Sequence, residues 1–346
     1  MGKKKHPERP IIADLDIRIG EIAHGALGAI TDVQGVRVGH VTLIQGAEVR
    51  TGVTAILPHD GNLFREKVEA AVHVINGFGK SVGLLQVMEL GNIESPILLT
   101  STLNVWRVAD AVVDVLSGQN PGVYSFNPVV CECSDAFLND ALRRPVGREH
   151  VVQAIREARS GPVTEGGVGA GTGMSGFGFK AGIGTASRRW TGEIGTFTLG
   201  VLVLMNTGAS GALRIDGVPV RRKSDRVEEE KPSGSIIIVI ATDAPLSSRQ
   251  LTRVARRAAF GLARTGAVAP HGSGDFVVAF STTTRRTSGI GERIPEEQLT
   301  QFFKATVEAT EEAILRSILK AETMVGRDGH VSEGISGLQR TMSNEQ

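Results

Sequence analysis

Aromatic side chains are scarce in this chain. Phe, Trp and Tyr together make 4% of its 346 residues, and tyrosine occurs once, at Tyr124. Single-stranded nucleic acid is held by rows of stacked aromatics, so this composition argues against it. An excess of one charge is missing too: 38 Lys and Arg meet 37 Asp and Glu, a formal net charge of +1. Nothing then draws the chain to a phosphate backbone or an anionic membrane. Cysteine is limited to Cys131 and Cys133. One intervening residue is too few for an unstrained bridge. Two sulfurs without suitably spaced histidines also make no structural zinc site. Both thiols are expected to be reduced and buried. No apolar run is long enough to span a bilayer. Residues 1–10 are basic and polar, without the apolar centre of a secretory signal. His6 stands where N-myristoylation needs Ser or Thr. The expectation is a cytoplasmic protein with no nucleic-acid or membrane partner.

Glycine, by contrast, is abundant, at 43 residues. Tight turns and close backbone approaches should be common. The apolar share of 41% and charged share of 22% are those of a globular protein. We expect one α/β domain over 1–346, with sheets packed between helices and loose ends at 1–10 and 326–346. The patterns predict strands at 54–57, 70–75, 128–133, 197–205 and 276–280, and a hairpin or two short strands within 30–43. Helical spacing predicts helices over 101–116, 246–262 and from Pro295 to about Met324, and a helix end at 151–158. Ser101 or Thr102 and Ser247 or Ser248 are the expected N-caps.

One stretch stands out, Lys231-Pro-Ser-Gly-Ser-Ile-Ile-Ile-Val-Ile-Ala-Thr-Asp243. A run crowded with charge, 221–234, stops at Gly234. Ser235 follows, and then an apolar run that reads as a strand buried on both faces. A hydroxyl there is held at the mouth of a sheet, and Gly234 gives the backbone conformations closed to other residues. By itself this is also an ordinary loop-to-strand junction.

Three short motifs compete with it. Gly79-Lys-Ser81-Val-Gly83 fits the nucleophile elbow, with 71–75 as its strand and 84–90 as its helix. No matching Asp and His can be picked out. The same stretch falls short of a phosphate loop because Val74 replaces the required glycine. Gly171-Thr-Gly173-Met-Ser-Gly176 fits a dinucleotide fingerprint but lacks the flanking strand and helix. A fourth grouping is richer in chemistry. Ser235, Asn206 and His271-Gly-Ser273-Gly-Asp275 each lie where a buried strand meets a glycine turn. A serine nucleophile, a second hydroxyl, a carboxylate and an amide donor would make an acyl-transfer site. A histidine base is missing, because His271 reads as loop packing.

Long stretches of the chain, from about residue 24 to about 330, resemble the self-processing aminopeptidases of the L-aminopeptidase/D-amidase-esterase type. That group includes the β-peptidyl aminopeptidases. The resemblance rests on Ala29-Ile-Thr-Asp-Val-Gln-Gly-Val-Arg-Val-Gly-His40, Thr51-Gly-Val-Thr-Ala-Ile-Leu-Pro58, Asn76-Gly-Phe-Gly79 and Glu89-Leu-Gly-Asn-Ile-Glu94. Gly169-Ala-Gly-Thr-Gly-Met174, Gly182-Ile-Gly-Thr-Ala-Ser-Arg188 and 234–246 carry it further. It implies a four-layer αββα sandwich, layered like the N-terminal-nucleophile hydrolases but differently connected. It implies a precursor that cuts itself between Gly234 and Ser235 into chains 1–234 and 235–346. It also implies hydrolysis of short peptides, amides or esters without metal or other cofactor, in a homo-oligomer of cleaved pairs. Acyl transfer to an amine, as in the related ornithine acetyltransferases, is the alternative.

Matched residue by residue, the resemblance makes Ser235 the nucleophile, with Ser273 and Asp275 supporting it. Asn206 becomes the oxyanion amide, and Glu132 the acid for the substrate's free amino group. Some relatives carry Glu at the position of Asp275. Some carry a pocket tyrosine that falls at Ser134, so that hydroxyl is absent here or comes from Tyr124. The missing base is then accounted for. Cutting would give Ser235 a free α-amine, whose reference pKa of about 7.7–8.0 lets it take a proton near neutrality. Strand alternation sets Glu132 opposite to Cys131 and Cys133.

Overall fold

The computed structural model describes residues 17–220, 234–285 and 293–335. The expected loose end at 1–10 and the charged run 221–233 lie outside these residues. The chain opens with a 3₁₀ turn at Ile30–Asp32 and then runs through β1 (Arg37–Gln45) and β2 (Val49–Leu57). The strand expected at the start of 30–43 is that turn, because Asp32 turns back to accept from the Leu27 and Ala29 N–H groups. Next come β3 (Val68–Gly77), α1 (Leu84–Leu90), β4 (Asn92–Ile93), β5 (Ile97–Ser101) and α2 (Val105–Gln119). Ser101 ends the strand and accepts from the Asn104 amide instead of capping a helix. The middle holds β6 (Val129–Cys133), α3 (Arg148–Arg156), β7 (Ser175–Gly176), β8 (Phe179–Lys180), β9 (Ile183–Gly192) and β10 (Gly195–Asn206). A short ribbon, β11 (Arg214–Ile215) and β12 (Val218–Pro219), follows.

After Gly234 come β13 (Ser235–Thr242), α4 (Ser248–Ala255), α5 (Ala258–Arg264), β14 (Gly274–Arg285) and α6 (Leu299–Leu319). The helix expected over 246–262 is thus two helices. Its cap is as expected: Ser247 and Gln250 bond reciprocally, which satisfies two donors of the first turn. The last helix starts four residues after Pro295, behind a 3₁₀ turn, and stops at Leu319. The ribbon β15 (Met324–Val325) and β16 (Val331–Ser332) ends the described chain. That ribbon corrects the expectation of a loose segment from Gly326. The Arg327 N–H donates to the Leu138 carbonyl at 2.9 Å, and His330 stacks on Phe137 at 4.7 Å.

Two large sheets carry the architecture. One has four strands in the order β1-β2-β5-β6, the other six in the order β4-β3-β14-β13-β10-β9. Each contains one parallel pair, β5 with β6 and β13 with β14. A parallel pair needs a crossover, which α2 supplies in the first sheet and α4 with α5 in the second. One core lies between the sheets and contains Ile56, Leu99, Cys131, Cys133, Leu204, Ile237, Val239 and Phe280. The other face of the six-stranded sheet packs Ile236, Ile238 and Ile240 against residues of α4, α5 and α6. The other face of the four-stranded sheet packs Ala55, Leu98 and Val130 against α2 and α3. Strand β13 therefore buries alternate residues in two different cores, which is why its sequence is apolar without a break.

Beyond the sheet, Arg188 of β9 is fully buried. Its Nε meets Glu308 Oε2 at 3.0 Å and its Nη1 meets Glu312 Oε2 at 2.8 Å. Its Nη2 donates to the Ile19 carbonyl at 2.6 Å. Glu308 also accepts from the Glu21 and Ile22 N–H groups, so one guanidinium ties β9, α6 and the segment 19–22 together.

Candidate active site

The register of the six-stranded sheet brings the chemistry to one edge. Ser235, first residue of β13, pairs with Asn206 at the end of β10 and with Gly274 at the start of β14. Neighbouring strands lie about 4.8 Å apart, so residues 206, 235 and 274 stand in a row. Ser235 is 7% exposed, and its Oγ accepts from the Gly274 N–H at 3.2 Å.

Asp275 sits one residue inside that edge and is fully buried. Its Oδ1 accepts from the Ile236 N–H at 3.1 Å and from the Ser273 hydroxyl at 2.6 Å. Its Oδ2 is buried with no hydrogen-bond partner among the described residues. Burial pushes its pKa up to about 6, against the pull of the Ser273 and Ile236 hydrogen bonds.

The loop before β14 is held from β3. Asn76 Nδ2 reaches the carbonyls of Pro270 at 3.1 Å, His271 at 3.0 Å and Ser273. The Phe78 N–H also donates to Ser273 O, at 3.3 Å. Asn76 is a functional support that the sequence reading left without a role. Its Asn-Gly setting reads as a turn, and only the β3–β14 register reveals its target.

Asn206 is oriented by a neighbour. Its Oδ1 accepts from the Ser175 N–H at 3.0 Å, which leaves Nδ2 as the atom able to donate. Ser175 in turn bonds Ser332 of β16, hydroxyl to hydroxyl, at 2.9 Å. Space also calls for glycine at 234: a Cβ there would lie 2.5 Å from the Asn206 carbonyl oxygen and 2.7 Å from Thr207 Cα.

Glu132 alternates with Cys131 and Cys133 as expected, since both cysteines face the core between the sheets. It is 2% exposed, and its Oε1 accepts from the Lys80 N–H at 3.0 Å. Burial and the carboxylates of Glu132 and Asp275 push the Cys133 thiol up, so both acids act on one spot. Burial pushes Cys131 up to about 12. The thiols stay neutral and are not nucleophiles. Ser134 leaves the strand exposed. Tyr124 is 97% exposed between α2 and β6, so it supplies no buried hydroxyl. His271 is exposed, with its ring 6.1 Å from that of Phe78.

The rival motifs have other work. Ser81 follows a strand and precedes α1, but no histidine or carboxylate bonds it among the described residues. Its neighbours hold Glu132: Lys80 donates to that carboxylate and Val82 pairs with Val130. The segment 169–176 is a 3₁₀ turn and a two-residue strand, and the buried Lys180 ammonium donates to the Gly171 carbonyl at 3.1 Å. It wraps a lysine of its own chain. Among the described residues no group of His, Cys, Asp and Glu could hold a metal ion, and no helix is long and apolar enough to cross a membrane.

The site thus offers a hydroxyl, a supporting acid and hydroxyl, an amide donor and a second buried acid, with no histidine bonded to any of them. Comparison with known proteins gives the family of the chain. The model of peptidase family S58 matches residues 28–332. A β-peptidyl aminopeptidase of Sphingosinicella microcystinivorans is 42% identical over 88% of this chain and 85% of its own. A protein of Pyrococcus horikoshii OT3 with a crystal structure superposes with a TM-score of 0.87 at 48% identity, over 94% of this chain and 96% of that one. The L-aminopeptidase D-Ala-esterase/amidase of Ochrobactrum anthropi, described as a variant of the Ntn hydrolase fold, gives 0.87 at 36%, over 94% and 96%.

Proposed function

The chain belongs to peptidase family S58 and is a serine-type aminopeptidase, and from that premise we propose that Ser235 is both its cleavage site and its nucleophile. The observation that carries this is the row Asn206, Ser235, Gly274 with Asp275 behind it and no histidine base. Ser235 Oγ attacks the Gly234 carbonyl carbon. The bond to the Ser235 nitrogen breaks, and that nitrogen takes a proton. Water then opens the resulting ester, leaving a carboxylate on Gly234 and both an amine and a hydroxyl on Ser235. The new amine is the base that the site otherwise lacks. Asp275 Oδ2 is the acceptor left to hold it, and Asn206 Nδ2 donates to the oxyanion. The stacking of the three cores supports a four-layer αββα sandwich in one domain. Exposed Leu85, Met88 and Leu90 on α1 supply apolar surface for a homo-oligomer of cut pairs. Membership of a peptidase family sets the acyltransferase alternative aside.

The substrates that the named relatives suggest are β-aminoacyl, L-aminoacyl and D-alanyl amides. Glu132 is proposed to pair with their free ammonium. A panel of such amides, each with its N-acetylated counterpart, tests this reading. Blocking the amine should lower kcat/KM by more than about 100-fold, because a buried carboxylate left without its cation costs about 3–5 kcal/mol. Equal turnover of blocked and free amides would remove Glu132 from the role.

The pH profile follows from two groups. The amine must be deprotonated to act as base, and Asp275 must be ionised to accept. Below about 6 both are protonated, so log kcat/KM should climb with slope two. Between there and about 8 only the amine still titrates, and the slope should be one. Asp275→Asn should lose the steeper part and keep the shallower one.

A further inference from the structure

Thr207 follows the oxyanion amide and is 2% exposed. Its Oγ1 is buried and has no hydrogen-bond partner among the described residues. Other buried threonines of this sheet do find one: Thr185 donates to the Val201 carbonyl at 2.7 Å and Thr242 to that of Thr198 at 2.8 Å. A buried hydroxyl left unpaired costs about 1–3 kcal/mol, and such groups are rare enough to require a reason.

Its position supplies one. A Cβ built on Gly234 would lie 2.7 Å from Thr207 Cα and 3.1 Å from Thr207 Oγ1. The unpaired hydroxyl therefore lies against the residue whose carbonyl is attacked. Two neighbouring donors are already taken. The Gly274 N–H is taken by Ser235 Oγ, and the Ser175 N–H by Asn206 Oδ1. Asn206 Nδ2 and Thr207 Oγ1 remain, on consecutive residues at one strand end. An oxyanion is best stabilised by donors fixed in advance around the place where charge develops.

We propose that Thr207 is a catalytic residue, the second hydrogen-bond donor to the oxyanion formed at Ser235. The Gly234 carbonyl oxygen occupies that place during self-cleavage. The acyl oxygen of the substrate occupies it during turnover, since both carbons are then bonded to Ser235 Oγ. The inference rests on the self-cleavage reading given above and adds a residue to it. A hydroxyl is required, not bulk, so valine should abolish the effect and serine should keep it.

The test uses the full chain made by cell-free synthesis. Cutting is followed in time on a denaturing gel, and turnover is measured once cutting is complete. Thr207→Val should slow both cutting and kcat by roughly 10²-fold, the scale of one oxyanion donor, with KM within about twofold. Its melting temperature should stay level or rise, because the substitution also removes an unpaired buried hydroxyl. Thr207→Ser should stay within about threefold of the parent, roughly half of the free energy that a tenfold change represents. Parental rates in Thr207→Val, with Ser235→Ala uncut, would overturn the Thr207 role and leave self-cleavage standing. Equal slowing in both variants together with a lower melting temperature would make Thr207 structural and also overturn it. An uncut but active parent, or cutting in Ser235→Ala, would remove the reading beneath and the inference with it.

Discussion

Ser235→Ala should give a chain that runs as one band on a denaturing gel and hydrolyses no aminoacyl amide above background. The expected loss in kcat is on the order of 10⁶-fold, the scale seen when a serine nucleophile is removed. Two functions disappear together because one hydroxyl serves both. Without Oγ the Gly234 carbonyl is not attacked, so the α-amine is never released and the site has neither nucleophile nor base. The fold should survive. Ser235 is small, the Ala side chain fits the same space, and the single bond given up is the one from the Gly274 N–H. Folding is checked by an unchanged unfolding transition. Ser235→Cys is the informative partner variant: it keeps a nucleophile and should still be cut, more slowly. A Ser235→Ala chain that is found as two fragments would mean that another residue or a protease makes the cut.

Arg188→Met should cost about 3–5 kcal/mol of stability, read as a lower midpoint in urea at an unchanged slope. The guanidinium is fully buried, as are most of the two carboxylates facing it. Removing the cation leaves Glu308 and Glu312 in a low-dielectric place where their negative charges repel. Hydrogen bonds from the Glu21 and Ile22 N–H groups and from His24, and the Arg316 guanidinium 3.6 Å from Glu312 Oε1, offset only part of this. The sign of the pH response follows. A buried carboxylate without its cation has a raised pKa, so its protonated form is favoured in the folded state. The variant should recover stability as pH falls through the carboxylate range and lose it again as pH rises. Arg188→Lys should fall between, since ammonium keeps the charge and loses the fork that spans Glu308, Glu312 and the Ile19 carbonyl. An Arg188→Met chain as stable as the parent would show that the acids neutralise themselves.

The placement of Ser235, Ser273, Asp275 and Asn206 was legible in the sequence because each occupies a junction between an apolar strand and a glycine turn; their catalytic roles are the proposal made above. Such junctions are written in composition, and the register then sets them side by side. The period of two opposes Glu132 to the cysteines, as the structure shows, but its proposed role comes from the family resemblance and not from that spacing. What stayed hidden is what depends on pairing between distant strands. Asn76 acts on residues almost two hundred positions away, through a β3–β14 register that no local pattern encodes. Ser175 orients Asn206 from within a glycine-dense stretch whose own spacing suggested a dinucleotide site. The crowding at Gly234 was hidden too, because the strand end pressed against it, 206–207, lies far away in sequence. Helix limits failed for local reasons: Ser101 finished a strand, and Pro295 preceded a 3₁₀ turn.

The order of the six-stranded sheet sets the fate of the two pieces that the proposed cut would leave. Across the sheet, β4 and β3 would belong to the larger piece, β14 and β13 to the smaller, and β10 and β9 to the larger again. With the bond before Ser235 cut, the smaller piece would be gripped on both sides by its former chain. Pulling it out would strip four strand edges of their hydrogen bonds at once and open two cores. The pieces would then have no dissociation equilibrium distinct from unfolding. The peptide bond that keeps them at high effective concentration would be gone. A molecule that unfolds after such a cut would have to reassemble by chance encounter. A cut enzyme would thus be held by its unfolding barrier, and its lifetime would be a kinetic property.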